Sequence, residues 1–188
     1  MDCEIRDLVE DDIFEFLVLT EEMHASNSEH QHVPFHPKSM GYTLLNRIQD
    51  PDFFVKGAFS LNPRDGKYVA GDLIGFWCGE ISSFTWNFHR KRATEQGVFI
   101  TKSHRGGRAA LYLWKEFIKW CKEKDVDHID MSATTGFFEG YPDKFGKWAM
   151  KHGFEKSAVK YSLSKPKEGW DVEVTQAEIQ ASLLPEGK

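Results

Sequence analysis

Residues 97–113, GVFITKSHRGGRAALYL, carry the clearest chemical pattern in the chain. The apolar run Val98-Phe99-Ile100 enters a basic turn, Lys102-Ser103-His104-Arg105-Gly106-Gly107-Arg108, and an amphipathic helix follows directly. Paired glycines let the backbone curl tightly with successive N–H groups turned inward, and a helix N-terminus adds partial positive charge. The chemistry this predicts is capture of a phosphate group. Lys102, Arg105 and Arg108 would screen whatever negative charge the N–H groups leave over.

Other residues offer less specific chemistry. Glu80 falls on a predicted strand, on the side shared by Ile74, Phe76 and Cys78, where an unpaired carboxylate stands out. Glu95 precedes the strand that enters the glycine turn. His24, His30, His32 and His36 share one polar loop, but no cysteine and no helical HxxxH pair accompanies them. That favours an exposed loop over a metal site, with His30 or His32 as a substrate contact or base. Phe35, Trp86, Phe88, Phe137 and Phe138 are expected near the open end of the sheet, as pocket wall or as core.

The elements that must position these residues follow from apolar spacing. A strand opens the chain at Cys3–Arg6. Asp11 or Asp12 caps a helix through Ile13, Phe16, Leu17 and Thr20, and a second helix fits Ser39–Asp50 with Pro51 as its stop. Phe53–Leu61 and Leu73–Ile81 alternate as hairpin partners, Ser82–Thr94 reads as a less regular connection, and Gly97–Thr101 is a strand. Helix Gly107–Lys124 has a buried stripe of Ala110, Leu113, Trp114, Phe117, Ile118 and Cys121. Ile129, Met131 and Ala133 alternate in the next strand. Helix Asp143–His152 ends at Gly153, and Val159, Tyr161 and Leu163 form a last strand. The order is β-α-α-β-β-β-α-β-α-β.

Composition sets the bounds. At 188 residues with 40% hydrophobic content, one domain with a substantial core is expected, over residues 1–165. Residues 166–188 read as an extension, a linker plus a short helix. The 24 basic and 29 acidic residues give a net charge of −5, a poor balance for coating nucleic acid. Arg90-Lys91-Arg92 is the one local argument for it. Three scattered cysteines favour buried thiols over a disulfide framework. With no secretion signal and no long apolar segment, a cytoplasmic, non-membrane protein is expected.

The strand–turn–helix pattern resembles the GCN5-related N-acetyltransferase (GNAT) superfamily. Its motif Gln/Arg-x-x-Gly-x-Gly/Ala is matched by His104-Arg105-Gly106-Gly107-Arg108-Ala109, with His104 in place of the usual Gln or Arg. Gly153-Phe154 after the short helix, and the opening Ile5-Arg6 followed by Glu10-Asp11, match further family marks. The likeness covers about residues 3–164. It implies an α+β fold with a mixed, mostly antiparallel central sheet flanked by helices.

It also implies acetyl-CoA as cofactor, with the pyrophosphate on residues 104–109, and acetyl transfer to a primary amine of a small molecule or protein. A backbone N–H near Phe99 and Ile100 would polarise the thioester carbonyl, and Glu80 or Glu95 would serve as base. Family members commonly carry a tyrosine as general acid four residues before the helix-ending glycine, where this chain has Ala149. Tyr141, or water, is the substitute. That departure keeps open a non-catalytic GNAT-like interaction module, loosely similar to small acetyltransferase-like proteins of tailed phages. A homodimer is an open alternative.

Overall fold

The alternating apolar residues of the first half of the chain become a sheet buried on both faces. In a computed structural model, which describes residues 3–28, 33–64, 67–132 and 141–157, five strands stand in the order β1-β2-β3-β4-β5. They are β1 (Cys3–Asp7), β2 (Phe53–Arg64), β3 (Lys67–Phe84), β4 (Asn87–Ile100) and β5 (His128–Asp130). The first four pair antiparallel, and β5 runs parallel to β4 after the crossover through a helix. Four α-helices, α1 (Ile13–Ser26), α2 (Pro37–Gln49), α3 (Ala109–Glu123) and α4 (Tyr141–Lys151), and two single 3-10 turns at Glu10–Asp12 and Lys102–His104 complete the described elements.

Two cores follow from the two faces. On one, Phe54, Ala58, Ile74, Trp77 and Ala93 meet Leu113, Trp114, Phe117 and Cys121 of α3, with Trp148 of α4 packed against them. On the other, Val55, Phe59, Leu73, Phe76, Cys78 and Phe99 meet Phe16 and Leu19 of α1 and Leu44 of α2. The predicted mixed, mostly antiparallel α+β architecture is the one observed. The expected last strand, residue Ala133 and the 166–188 extension lie outside the described residues.

Several expectations are corrected in detail. Ser82–Thr94 is not an irregular connection, because β3 and β4 stay paired from Gly75↔Ile100 out to Phe84↔Asn87. Ile74 does not share a face with Phe76 and Cys78. Between the pairs Phe59↔Leu73 and Ala58↔Gly75, β3 holds one residue more than β2, and this bulge sends Ile74 to the Trp77 side. On α3 it is Ala109, not Ala110, that is buried, so the core stripe runs Ala109, Leu113, Phe117, Cys121 at helical spacing.

Asp12 serves the start of the first helix through its neighbours. Its carboxylate accepts Val9 N–H at 2.8 Å and both Arg6 terminal nitrogens at 2.6 and 2.7 Å. All three cysteines are buried free thiols.

Candidate active site

The glycine turn begins where β4 ends. Thr101 N–H donates to the Ile74 carbonyl at 3.0 Å, a single helical turn covers Lys102–His104, and Gly106 sits at φ +84° before α3 starts at Ala109. Residues with a side chain rarely adopt that conformation, which explains glycine at 106. At Gly107 a Cβ would lie 3.3 Å from the His104 carbonyl oxygen, a tight contact that a small shift relieves. His104 Nδ1 is tied to Thr101 Oγ1 at 2.9 Å and Ser103 Oγ at 3.0 Å, so the histidine at the motif's first position braces the turn.

The turn fits a phosphate. No acidic residue occupies the first turn of α3, and Arg108 at its N-cap makes no side-chain cap bond. The N–H groups that open a helix have no acceptor within the helix itself, so these are turned outward with the dipole behind them. Arg105 behaves differently from the expectation of a phosphate partner. Its Nε donates to the Ile100 carbonyl at 3.0 Å and its guanidinium lies 5.4 Å from the centre of the Phe99 ring. It latches the turn to the strand end.

β4 supplies the second part of the site. Strand residues alternate in the direction of their polar groups. Thr101 turns its N–H toward β3, so Phe99 does too, while Val98 and Ile100 direct theirs to the opposite edge. Among the described residues that edge is open, because β5 pairs with β4 only from Arg92↔His128 to Thr94↔Asp130. Of the two residues expected to offer a polarising N–H, Ile100 therefore faces the gap and Phe99 does not. Val98, which the sequence did not single out, faces it as well.

Glu95 lies at the point where the strands part. β4 carries an extra residue here, with Cys78 opposite Gly97 and Gly79 opposite Glu95. The Glu95 carboxylate accepts Ser132 N–H at 3.4 Å. Burial pushes its pKa up from the usual 4.5 to about 7, against the opposing effect of the Ser132 hydrogen bonds. Glu80 stands opposite Thr94, one register step away on β3, and is half-buried. Glu95 is thus the carboxylate at the gap, with Glu80 on β3 across β4 from it, and burial tunes Glu95 toward neutral pH.

Other expected residues are placed elsewhere. Tyr141 begins α4, and its side chain lies outside the described residues. Ala149 is buried, with its carbonyl accepting the N–H groups of His152 and Phe154, and brings no proton donor. His36 caps α2 through Ser39 N–H at 3.2 Å, and His24 Nε2 bonds the Val33 carbonyl at 2.7 Å. His30, His32, Phe137 and Phe138 are outside the described residues. Trp86 and Phe88 do not wall the gap, since they sit at the far tip of the β3–β4 hairpin, roughly 40 Å of strand from Ile100. Arg90 pairs with Asp127, Arg92 with Asp130 at 3.6 Å, and Lys91 Nζ donates to the Lys124 carbonyl at 2.8 Å. The basic triplet is engaged within the protein.

Beside the turn is an open cleft of about 570 Å³, with Thr101–His104 on one wall and Glu22, Asp72, Leu73 and Ile74 on the other. Its two carboxylates make it a poor seat for phosphate. Among the described residues no helix is long and apolar enough to cross a membrane.

No protein-family model matches the chain, and no curated protein sequence does. Many solved structures share its fold. A ribosomal-protein-alanine N-acetyltransferase from Brucella melitensis biovar Abortus 2308 is similar at TM-score 0.58 and 16% identity, over 87% of this chain and 99% of the other. Glucosamine-6-phosphate N-acetyltransferase from Arabidopsis thaliana is similar at TM-score 0.62 and 11% identity, over 87% and 99%. A predicted acetyltransferase from Clostridium acetobutylicum, solved with acetyl-CoA, is similar at TM-score 0.59 and 12% identity, over 86% and 96%. The chain has the fold of the GCN5-related N-acetyltransferases.

Proposed function

We propose that this protein is an acetyl-CoA-dependent N-acetyltransferase that acetylates a primary amine of a small molecule or protein. The observation that carries the proposal is the glycine turn set directly against the open edge of β4, with Glu95 where β4 and β5 part. The similar structures named as N-acetyltransferases support an amine as acceptor.

When bound, acetyl-CoA supplies an acetyl thioester whose C–S bond breaks as an amine forms the new C–N bond. The chain's residues divide the remaining work. The N–H groups of Arg105, Gly106, Arg108 and Ala109 bind the pyrophosphate, aided by the α3 dipole, while Gly107 N–H donates to the His104 carbonyl at 3.4 Å and closes the turn. Ile100 and Val98 N–H groups stand as donors for the carbonyl oxygen. Glu95, with its pKa near 7, takes the proton that an ammonium must lose before it can attack. Ala149 offers no acid, so the thiolate leaves with a proton from solvent or from Tyr141.

The buried Ala149 also favours a second reading, a module that binds coenzyme A without efficient turnover. Release of free thiol in the presence of acetyl-CoA and a panel of primary amines separates the two. Amine-dependent thiol release supports the enzyme. Binding of acetyl-CoA with no release across the panel supports the module.

A further inference from the structure

β3 and β4 extend beyond their neighbours. On one side the ladder to β2 ends at Phe53↔Glu80, closed by Ile81 N–H donating to the Asp52 carbonyl at 2.8 Å. On the other, pairing with β5 starts at Arg92↔His128, preceded by Asp127 N–H donating to the Lys91 carbonyl at 3.0 Å. Residues 82–90 therefore form a two-stranded arm with both edges open among the described residues. Such ribbons are marginal in water without a surface to pack on. The arm is nonetheless fixed at its base by the Arg90–Asp127 and Arg92–Asp130 pairs and by Arg92 over the Phe84 ring. Its tip presents Trp86 at 88% exposure and Phe88 at 74%.

A matching surface lies on α1. Phe16, Leu19 and Thr20 face the sheet, yet the outward face carries Phe14 at 76% exposure and Val18 at 49%, with Val9 at 50% just before the helix. Exposed Asp11, Glu15, Glu21 and Glu22 flank this apolar strip. The arm tip is aromatic with exposed His89 beside it, so the two surfaces complement each other in apolarity. Both are exposed within one copy, so they do not cover each other in the same chain.

We infer that the arm of one copy docks on the α1 face of a second copy, and that the exchange is reciprocal about a twofold axis. Area supports reciprocity. Each buried aromatic contributes about 150–250 Å², so Trp86, Phe88, Phe14 and the two valines bury roughly 600 Å² per contact. One contact falls short of the ~1,000 Å² of a stable interface, and two reach it.

Sedimentation velocity of the full chain at micromolar concentrations tests this. The expected result is a dimer for the wild type. Trp86→Ser with Phe88→Ser, and separately Phe14→Arg, each weaken dimerisation by about 100-fold or more while leaving the folded circular-dichroism spectrum unchanged, since all three side chains are solvent-exposed in one copy. A monomeric wild type, or either folded variant that still dimerises normally, overturns the inference. Register is tested by single cysteines. Copies with Trp86→Cys mixed with copies carrying Val18→Cys form a disulfide-linked pair under mild oxidation. If Trp86→Cys copies instead link only to one another, the arms meet each other and the assignment to α1 is wrong.

Discussion

The Glu95 carboxylate, one residue past the last β4–β5 pair, Thr94↔Asp130, accepts at 3.4 Å the backbone N–H of Ser132, two residues past it on the other strand. A single side chain thus bridges the two strands where their ladder stops. Burial there raises its pKa to about 7, because removing a carboxylate from water disfavours the charged form.

That relationship fixes the sign of two pH effects. Thiol release should rise as pH passes through about 7, when Glu95 becomes the ionised base. Glu95→Gln should lower kcat by about 100-fold or more and remove this limb of the profile. The folded state holds the Glu95 proton more tightly than the unfolded chain, so wild-type stability declines between the usual 4.5 and about 7. Glu95→Gln should therefore be more stable than wild type at pH 8, by about 1–3 kcal/mol, with the gain shrinking to near zero at pH 4. Thermal melts across pH check the sign.

Gly75→Ala tests whether the end of β4 must be undistorted. A Cβ at Gly75 would lie 2.3 Å from Ile100 Cδ1 and 2.7 Å from the Phe99 carbonyl oxygen. The side-chain contact can relax, but the backbone contact pushes on the strand that presents the Ile100 N–H. The expected outcome is a loss of about 1–3 kcal/mol in urea unfolding together with weaker acetyl-CoA binding. Full stability and full affinity in this variant would show that β4 yields here at no cost.

Arg105 separates a latch from a phosphate ligand. Its side chain is folded back on Ile100 and Phe99, so Arg105→Gln should loosen the turn and weaken acetyl-CoA and dephospho-CoA binding by the same factor, about 3–10-fold. A loss confined to acetyl-CoA would instead place Arg105 on the 3′-phosphate. Calorimetric titration with both ligands reads the difference.

Asp12→Ala should destabilise the fold by about 1–3 kcal/mol, because it strands the Val9 N–H and the Arg6 guanidinium together. The hydrogen bonds from Arg6 hold the Asp12 carboxyl below its ordinary pKa. Its contribution is therefore present above about pH 4 and is lost as pH falls through the folded-state value. Urea midpoints for wild type and variant should converge at low pH.

Much of this architecture was legible in the sequence because it rests on local rules. The α3 stripe, the strand alternation and the glycine turn each follow from spacing, and the turn's position between a strand and a helix gave the fold. What escaped depends on pairing register. The bulge that moves Ile74 to the other face leaves no mark in the sequence, since alternation assumes one residue per partner. The same limit hid the length of the β3–β4 arm, whose run Asn87–Lys91 is polar apart from Phe88 and exposed on both faces. Val98 and Ser132 gained their roles only from where β4 and β5 separate. A glycine at 75 in the middle of an apolar strand was a readable signal of close backbone approach, though not of what approaches.

The most direct test is a thermal-shift and calorimetric titration of the wild type and Gly107→Trp with acetyl-CoA. Gly107 is exposed and meets only the His104 carbonyl, so the variant's melt in the absence of ligand verifies that it folds. The account predicts that acetyl-CoA stabilises the wild type and leaves the folded variant unmoved, because the indole fills the phosphate's place. An unliganded wild type that ignores acetyl-CoA, or a variant that binds it equally well, would contradict the assignment of the turn.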